Sequence, residues 1–267
     1  IYCGPGNNGG DGLAMARILG VQGYGHWVLL YAVILYANAY SSALVQMPLA
    51  TLLPHKESGS ERTDMLRGSL ALQIALSSCL AMALVCGFEL LRILAPDWYA
   101  PGLSVPIAVS TLAFQVHDWM RRACFVDGRA HHALLIDLIG YGGQLAGIMI
   151  VASLSVVTAQ IGFIVLAVSY GAGICAGFFV LRHIPSFSAA RKLLSDTWRT
   201  SRDFFLSWQF QWLGTQGVLF VGAATLGTQA AGAIRASQNL LGPTNVLFQA
   251  VENLVPVRCA VHYKTTG

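Results

Sequence analysis

Charge is scarce in this chain. Only 10% of its 267 residues are Asp, Glu, Lys or Arg, against roughly 25% in an ordinary soluble domain, too few to cover a globular surface. The six cysteines, Cys3, Cys79, Cys86, Cys124, Cys175 and Cys259, form no C-x-x-C and have no His at ligand spacing, so no metal site or disulfide framework is expected. Most of them stand in apolar runs, where a thiol behaves as a small hydrophobe. The net charge of +4 is dispersed through connecting segments, which excludes the basic face that a nucleic-acid partner requires. The chain opens on Ile1 rather than Met and closes on the polar stub His262 to Gly267. It is therefore expected to be part of a longer protein, and no signal peptide can be read from it.

What is present is apolar length. Hydrophobic residues make up 55% of the chain and fall into runs of about 20, enough for a helix to cross a bilayer. The expected fold is all-α, a polytopic transmembrane helix bundle of about seven spans. It is organised around Met120 to His132, read as a basic turn between the runs Leu103 to Trp119 and Ala133 to Leu154. The remaining runs are Trp27 to Met47, ended by Pro48 and Pro54, then Ser69 to Leu91, Ile161 to Leu181, Phe204 to Leu226, and Thr228 to Val257, kinked at Gly242-Pro243. Loops rich in Lys and Arg stay cytoplasmic. Alternating the spans places Lys56, Arg62, Arg67, Arg121, Arg122, Arg129, Arg182, Arg191, Lys192, Arg199, Arg202, Arg258 and Lys264 on one side, 13 of the 16 basic residues, and leaves Arg17, Arg92 and Arg235 toward the other. The expected location is the cytoplasmic (inner) membrane, multi-pass. Glycines at 140, 142, 143 and 147, and at 171, 173 and 177, predict faces where helix backbones approach closely. Arg182 to Asp203, with AARKLLSDTWR inside it, predicts an amphipathic linker lying in the membrane interface.

The first dozen residues differ in kind. IYCGPGNNGGDG carries five glycines and can turn backbone N–H groups toward an anion, with LAMARIL as the helix that follows. The string Gly4 to Gly12 closely resembles the phosphate loop of the NAD(P)HX epimerases, over about the first 19 residues. The resemblance implies Gly6, Asn7, Asn8, Gly9, Gly10 and Asp11 as loop candidates for a dinucleotide, in a doubly wound α/β domain whose later strands supply the catalytic carboxylate. An apolar span follows instead, so the loop is expected to be a non-functioning stub, a junction or a flexible entry loop.

A second resemblance covers residues 14–267. ARILGVQGYGHW, RRACFVDGRAHHALLIDLIGYGGQLAGI and GAIRASQNLLGPTNVLFQAVENLVPVR look like the lipid-linked oligosaccharide flippases and polysaccharide exporters, in the superfamily that also holds multidrug extruders. It implies a fragment of a transporter of twelve to fourteen helices. Residues 1–15 would be the glycine-rich stub, 16–181 a first bundle lacking its first helix, 182–203 a cytoplasmic linker and 204–267 the start of a second bundle. The expected function is flipping or export of a polyprenyl-pyrophosphate-linked glycan, in polysaccharide or lipopolysaccharide biosynthesis, with no enzymatic activity. An ion-coupled multidrug extruder and an epimerase fragment are the alternatives. The partners implied are membrane lipid, the lipid-linked glycan and the missing helices.

Substrate contacts are expected at Arg235, the Arg deepest in a span, with Gln238 and Asn239 beside it on the helix and Arg121 and Arg122 at the basic turn. Glu252, Asp118 and Asp137 are the carboxylates expected to trade a proton or Na⁺. No other cofactor is expected.

Overall fold

The computed structural model describes residues 9–56, 59–94, 101–154 and 156–240, with 251, 255, 258 and 259 singly. Those residues are all-α and contain no strand. The helices are α1 (Gly9–Ser41), α2 (Met47–Leu52), α3 (Ser60–Leu94), α4 (Ser104–Val126), α5 (Ala130–Asp137), α6 (Gly143–Leu154), α7 (Ala159–Leu181), α8 (Phe187–Leu226) and α9 (Thr228–Leu240). Two π turns, Ser42–Gln46 and Leu138–Gly142, join α1 to α2 and α5 to α6.

α4 is the centre of the bundle, packed between α3 and α7, while α1 lies against α8 and α9. Two apolar clusters fill the interior. One gathers Tyr24, Trp27, Tyr31, Ile107, Phe114, Phe163 and Tyr170, and the other gathers Leu49, Leu66, Trp119, Met120, Ala123 and Leu181. α4 contributes residues up to Phe114 to the first and from Val116 onward to the second. The exterior is apolar too: Leu138, Leu154, Val168, Phe179 and Phe210 are exposed. Four segments are long and apolar enough to cross a membrane, Gly23–His55, Ser60–Leu94, Ala130–Leu154 and Ala159–Leu181.

Several element boundaries differ from those expected. The run from Trp27 continues through Pro48 to His55. Proline cannot donate to the carbonyl four residues back, which here is Leu44, and the Ser201 hydroxyl of α8 donates to that oxygen at 3.3 Å instead. The π turn, with Met47 N–H bonded to Ser42 O, carries the helix past the defect. Met120 to His132 is also mostly helical. α4 runs on to Val126, so the turn proper is Asp127 to Arg129, with Gly128 at φ 74°. α3 begins at Ser60, well before the expected run Ser69 to Leu91, and the linker 182–203 is continuous with the following run as α8. α1 is bent at Gly20 (φ 67°, ψ 170°). Gly242-Pro243, the expected kink, lies outside the described residues.

One end of the bundle holds the basic connections. Arg62 binds Asp127 at 3.0 Å and the Val126 carbonyl at 3.2 Å, and Arg129 closes on the other Asp127 oxygen at 2.8 Å. Arg67 Nε donates to Ile184 O, while Ser186 N–H donates back to Arg67 O. The start of α3, the α4–α5 turn and the α7–α8 connection are thereby clasped together. Burial lowers the His183 pKa below its ordinary value; Asp127 opposes this, and Arg129 and Arg67 add to it.

Five of the seven glycines expected at close approaches are found there. A Cβ at Gly173 would come within 2.6 Å of the His117 ring, one at Gly177 would meet Met120 Sδ, one at Gly147 would lie 2.7 Å from Val165, and Gly140 and Gly143 face His117 and Ser169. Gly171 meets nothing within 4 Å, and Gly142 meets only its own helix. Gly177→Leu is expected to wedge α7 from α4 and to destabilise by about 1–3 kcal/mol, read by denaturant titration in detergent. Gly171→Leu on the same helix should leave the midpoint unchanged or raise it.

Candidate functional site

The polar side chains of the bundle collect at the junction of its two apolar clusters, on α4. Asp118 is 0% exposed and accepts from Arg121 Nη2 at 2.7 Å and from Arg122 Nε at 3.3 Å. Spacings of three and four residues put all three groups on one helix face. Arg121 Nε stands 3.8 Å from Asp137 Oδ1 of α5, and each atom has no hydrogen-bond partner among the described residues. Two carboxylates face two guanidinium groups, so the cluster carries no net charge. Buried charge is tolerated on these terms, because the loss of hydration is met by close opposite charge and directed N–H bonds.

His117 lies beside this cluster, fully buried between Gly140 and Gly173. Its ring centroid is 4.8 Å from that of Tyr170 and 5.6 Å from that of Tyr141. Nε2 is 3.2 Å from the carbonyl of Ile136. A carbonyl can only accept, so Nε2 carries the proton and Nδ1 is left as the acceptor. Ile136 stands two residues before the π turn Leu138–Gly142, so His117 donates to a carbonyl beside the second π turn as Ser201 does at the first. Nδ1 has no hydrogen-bond partner among the described residues.

A directed chain of buried hydrogen bonds leads toward the same place. Gln46 Nε2 donates to Ser41 Oγ (3.3 Å), Ser41 to Gln73 Oε1 (2.7 Å), Gln73 Nε2 to Ser77 Oγ (2.9 Å), and Ser77 to Gln115 Oε1 (3.0 Å). Gln115 stands one helical turn before Asp118, and its own Nε2 has no partner among the described residues. The chain ties α1, α3 and α4 together at a depth where water cannot compete.

Arg235 is elsewhere, on α9, 5% exposed and bonded to Gln238 Oε1 at 3.3 Å. Tyr24 and Tyr31 of α1 are its electrostatic neighbours, and no carboxylate pairs with it among the described residues. No hydrogen bond or ion pair among the described residues joins it to the Asp118 cluster. The structure therefore brings together Asp118, Asp137, Arg121 and Arg122 and keeps Arg235 and Gln238 apart from them. Asn239 follows on the α9 backbone. Glu252 and the loop candidates Gly6, Asn7 and Asn8 lie outside the described residues, while Gly9, Gly10 and Asp11 open α1. His117 and the Gln46–Gln115 chain are not among the site residues expected from the sequence. Their signal was the recurrence of Ser and Gln inside apolar runs, with Gln73 and Ser77 four apart.

Residues 1–57 of the 267 match a family described as YjeF-related protein N-terminus. No curated protein and no solved structure matches the chain. The match corrects the expected flippase or exporter, its multidrug alternative and the polysaccharide-export role: the family found is not a transporter family. It corrects the expected lack of enzymatic activity as well, since it falls on the loop that resembles the NAD(P)HX epimerases. The physical reason lies in the strings compared. Apolar helices draw on few residue types and resemble one another across unrelated membrane proteins, whereas GPGNNGGDG answers a backbone demand that few sequences meet.

Loss of the Asp118 carboxylate would leave Arg121 and Arg122 buried without it. Asp118→Asn is expected to cost about 3–5 kcal/mol, read by denaturant titration in detergent. Asp137→Asn, which removes only the 3.8 Å contact, should cost clearly less.

Proposed function

We propose that the chain is a membrane-spanning helical protein whose N-terminal glycine-rich segment, Gly4 to Gly12, binds the phosphates of a nicotinamide dinucleotide, with epimerisation of hydrated NAD(P)H as the reaction class. The observation that carries this is the family match over residues 1–57. In support, Gly9, Gly10 and Asp11 form the first turn of α1, and the free N–H groups of a helix start favour phosphate. The glycines preceding that turn let the backbone come close to a ligand. In the family resembled, strands supply the proton-transfer carboxylate. None occurs among the described residues, so binding is the property assigned first.

The membrane reading is supported by the four long apolar segments, by apolar side chains outside and polar ones within, and by the clasp of basic connections at one end. Seven spans, with the 13 basic residues named above on the cytoplasmic side, fit the charge pattern of the sequence.

Two measurements test the parts separately. Isothermal titration of the detergent-purified chain with NADPH should show binding, weakened at least roughly tenfold, about 1.4 kcal/mol, in Gly6→Val/Gly10→Val with helicity unchanged by circular dichroism. Absence of NADPH binding to the parent chain ends the loop assignment. For the topology, Ser58→Cys and Ser186→Cys, in a background lacking the native cysteines, should resist a membrane-impermeant maleimide added to intact cells. Labelling of either would overturn the orientation.

A further inference from the structure

The outward face of the first half of α8 has no role in the site or the loop. α8 buries Ala190, Thr197, Ser201 and Trp208 against α3 and the end of α1, and that periodicity uses one face of the helix. About 60° around the helix axis runs a second apolar stripe, Phe187, Leu194 and Trp198, which is 68%, 38% and 54% exposed. Arg191 and Arg202 border this stripe, and Lys192 and Arg199 lie beyond them, all exposed. Residues 182–203 hold five basic and two acidic side chains. Arg202 pairs with its neighbour Asp203, but Arg191, Lys192 and Arg199 make no ion pair among the described residues.

The position of this stretch is fixed by its neighbours. Ala189 and Ala190 sit on Gly68, near the start of α3. Ser201 bonds Leu44, and the Phe205 ring meets that of Tyr40 at 5.1 Å. The stretch therefore begins at the basic end of the bundle and ends beside Tyr40 and Leu44 of the Gly23–His55 segment. Aromatic and aliphatic side chains facing out, bordered by cations at the edge of an apolar slab, match the chemistry of a phospholipid interface.

We propose that the first half of α8, Phe187 to Asp203, docks on anionic phospholipid headgroups. The Phe187–Leu194–Trp198 stripe enters the acyl boundary while Arg191, Lys192, Arg199 and Arg202 meet the phosphates. This rests on the membrane reading above. The test is quenching of tryptophan fluorescence by brominated lipids in bilayer nanodiscs holding the full chain. The Trp198 contribution is the part lost in Trp198→Phe. Brominated phosphatidylglycerol, diluted in phosphatidylcholine, should quench that part roughly twofold more than the same amount of brominated phosphatidylcholine. Arg191→Gln/Lys192→Gln/Arg199→Gln should abolish the difference while total incorporation is unchanged. Equal quenching by the two lipids, a difference that survives the triple variant, or no Trp198 quenching at all, as when an acidic protein covers the face, overturns the proposal and leaves the membrane reading standing. A chain that stays soluble without detergent and enters no bilayer removes both.

Discussion

The ion-paired carboxylate of Asp118 sets the terms for the rest of the bundle. A carboxylate with no exposure is stable only where cations reach it directly, and the two that do so come from its own helix at Arg121 and Arg122. That local pairing forces α4 to remain helical beyond the apolar run and to keep its charged turn inside the fold. α3, α5 and α7 must then close over it, and the glycines of α7 are what let α7 come near enough. The small residues of one helix and the charges of another are two sides of one constraint.

The two π turns answer a related problem. In each case a side chain from a different helix donates to a carbonyl at the turn: Ser201 to Leu44, where Pro48 has no N–H to give, and His117 to Ile136. In an apolar interior an unpaired carbonyl costs free energy comparable to a lost hydrogen bond. The donors therefore fix the depth at which α8 meets α1 and α4 meets α5, where dispersion contacts alone would tolerate sliding. The Gln46-to-Gln115 chain acts in the same way between α1, α3 and α4.

Much of the helical architecture could be read from apolar run lengths. Ile161 to Leu181 became α7 almost unchanged, and the close approaches at Gly140, Gly143, Gly147, Gly173 and Gly177 followed from spacing. What could not be read was where polar residues stay helical. Arg121 and Arg122 look like loop residues until Asp118 is seen to stand three and four positions before them. Pro48 reads as a terminator unless the hydroxyl that replaces its missing donor, 153 positions later in the chain, is known. Arg235 was legible as a deeply placed cation, but the tyrosines of α1 around it come from tertiary packing alone. The exporter resemblance failed because shared apolarity is weak information, while the glycine string, discounted because a hydrophobic run follows it, carried the family signal.

The pairing of Pro48 with Ser201 has a consequence for how this sequence can change over time. Any residue other than proline at 48 would restore an amide hydrogen for the Leu44 oxygen and release the serine on α8 from its duty. With proline retained, a residue without a hydroxyl at 201 takes away the donor that α8 gives that oxygen. Natural variants should therefore drift at these two places in step, and such a correlated footprint would mark the α1–α8 contact as an inherited feature of the whole lineage.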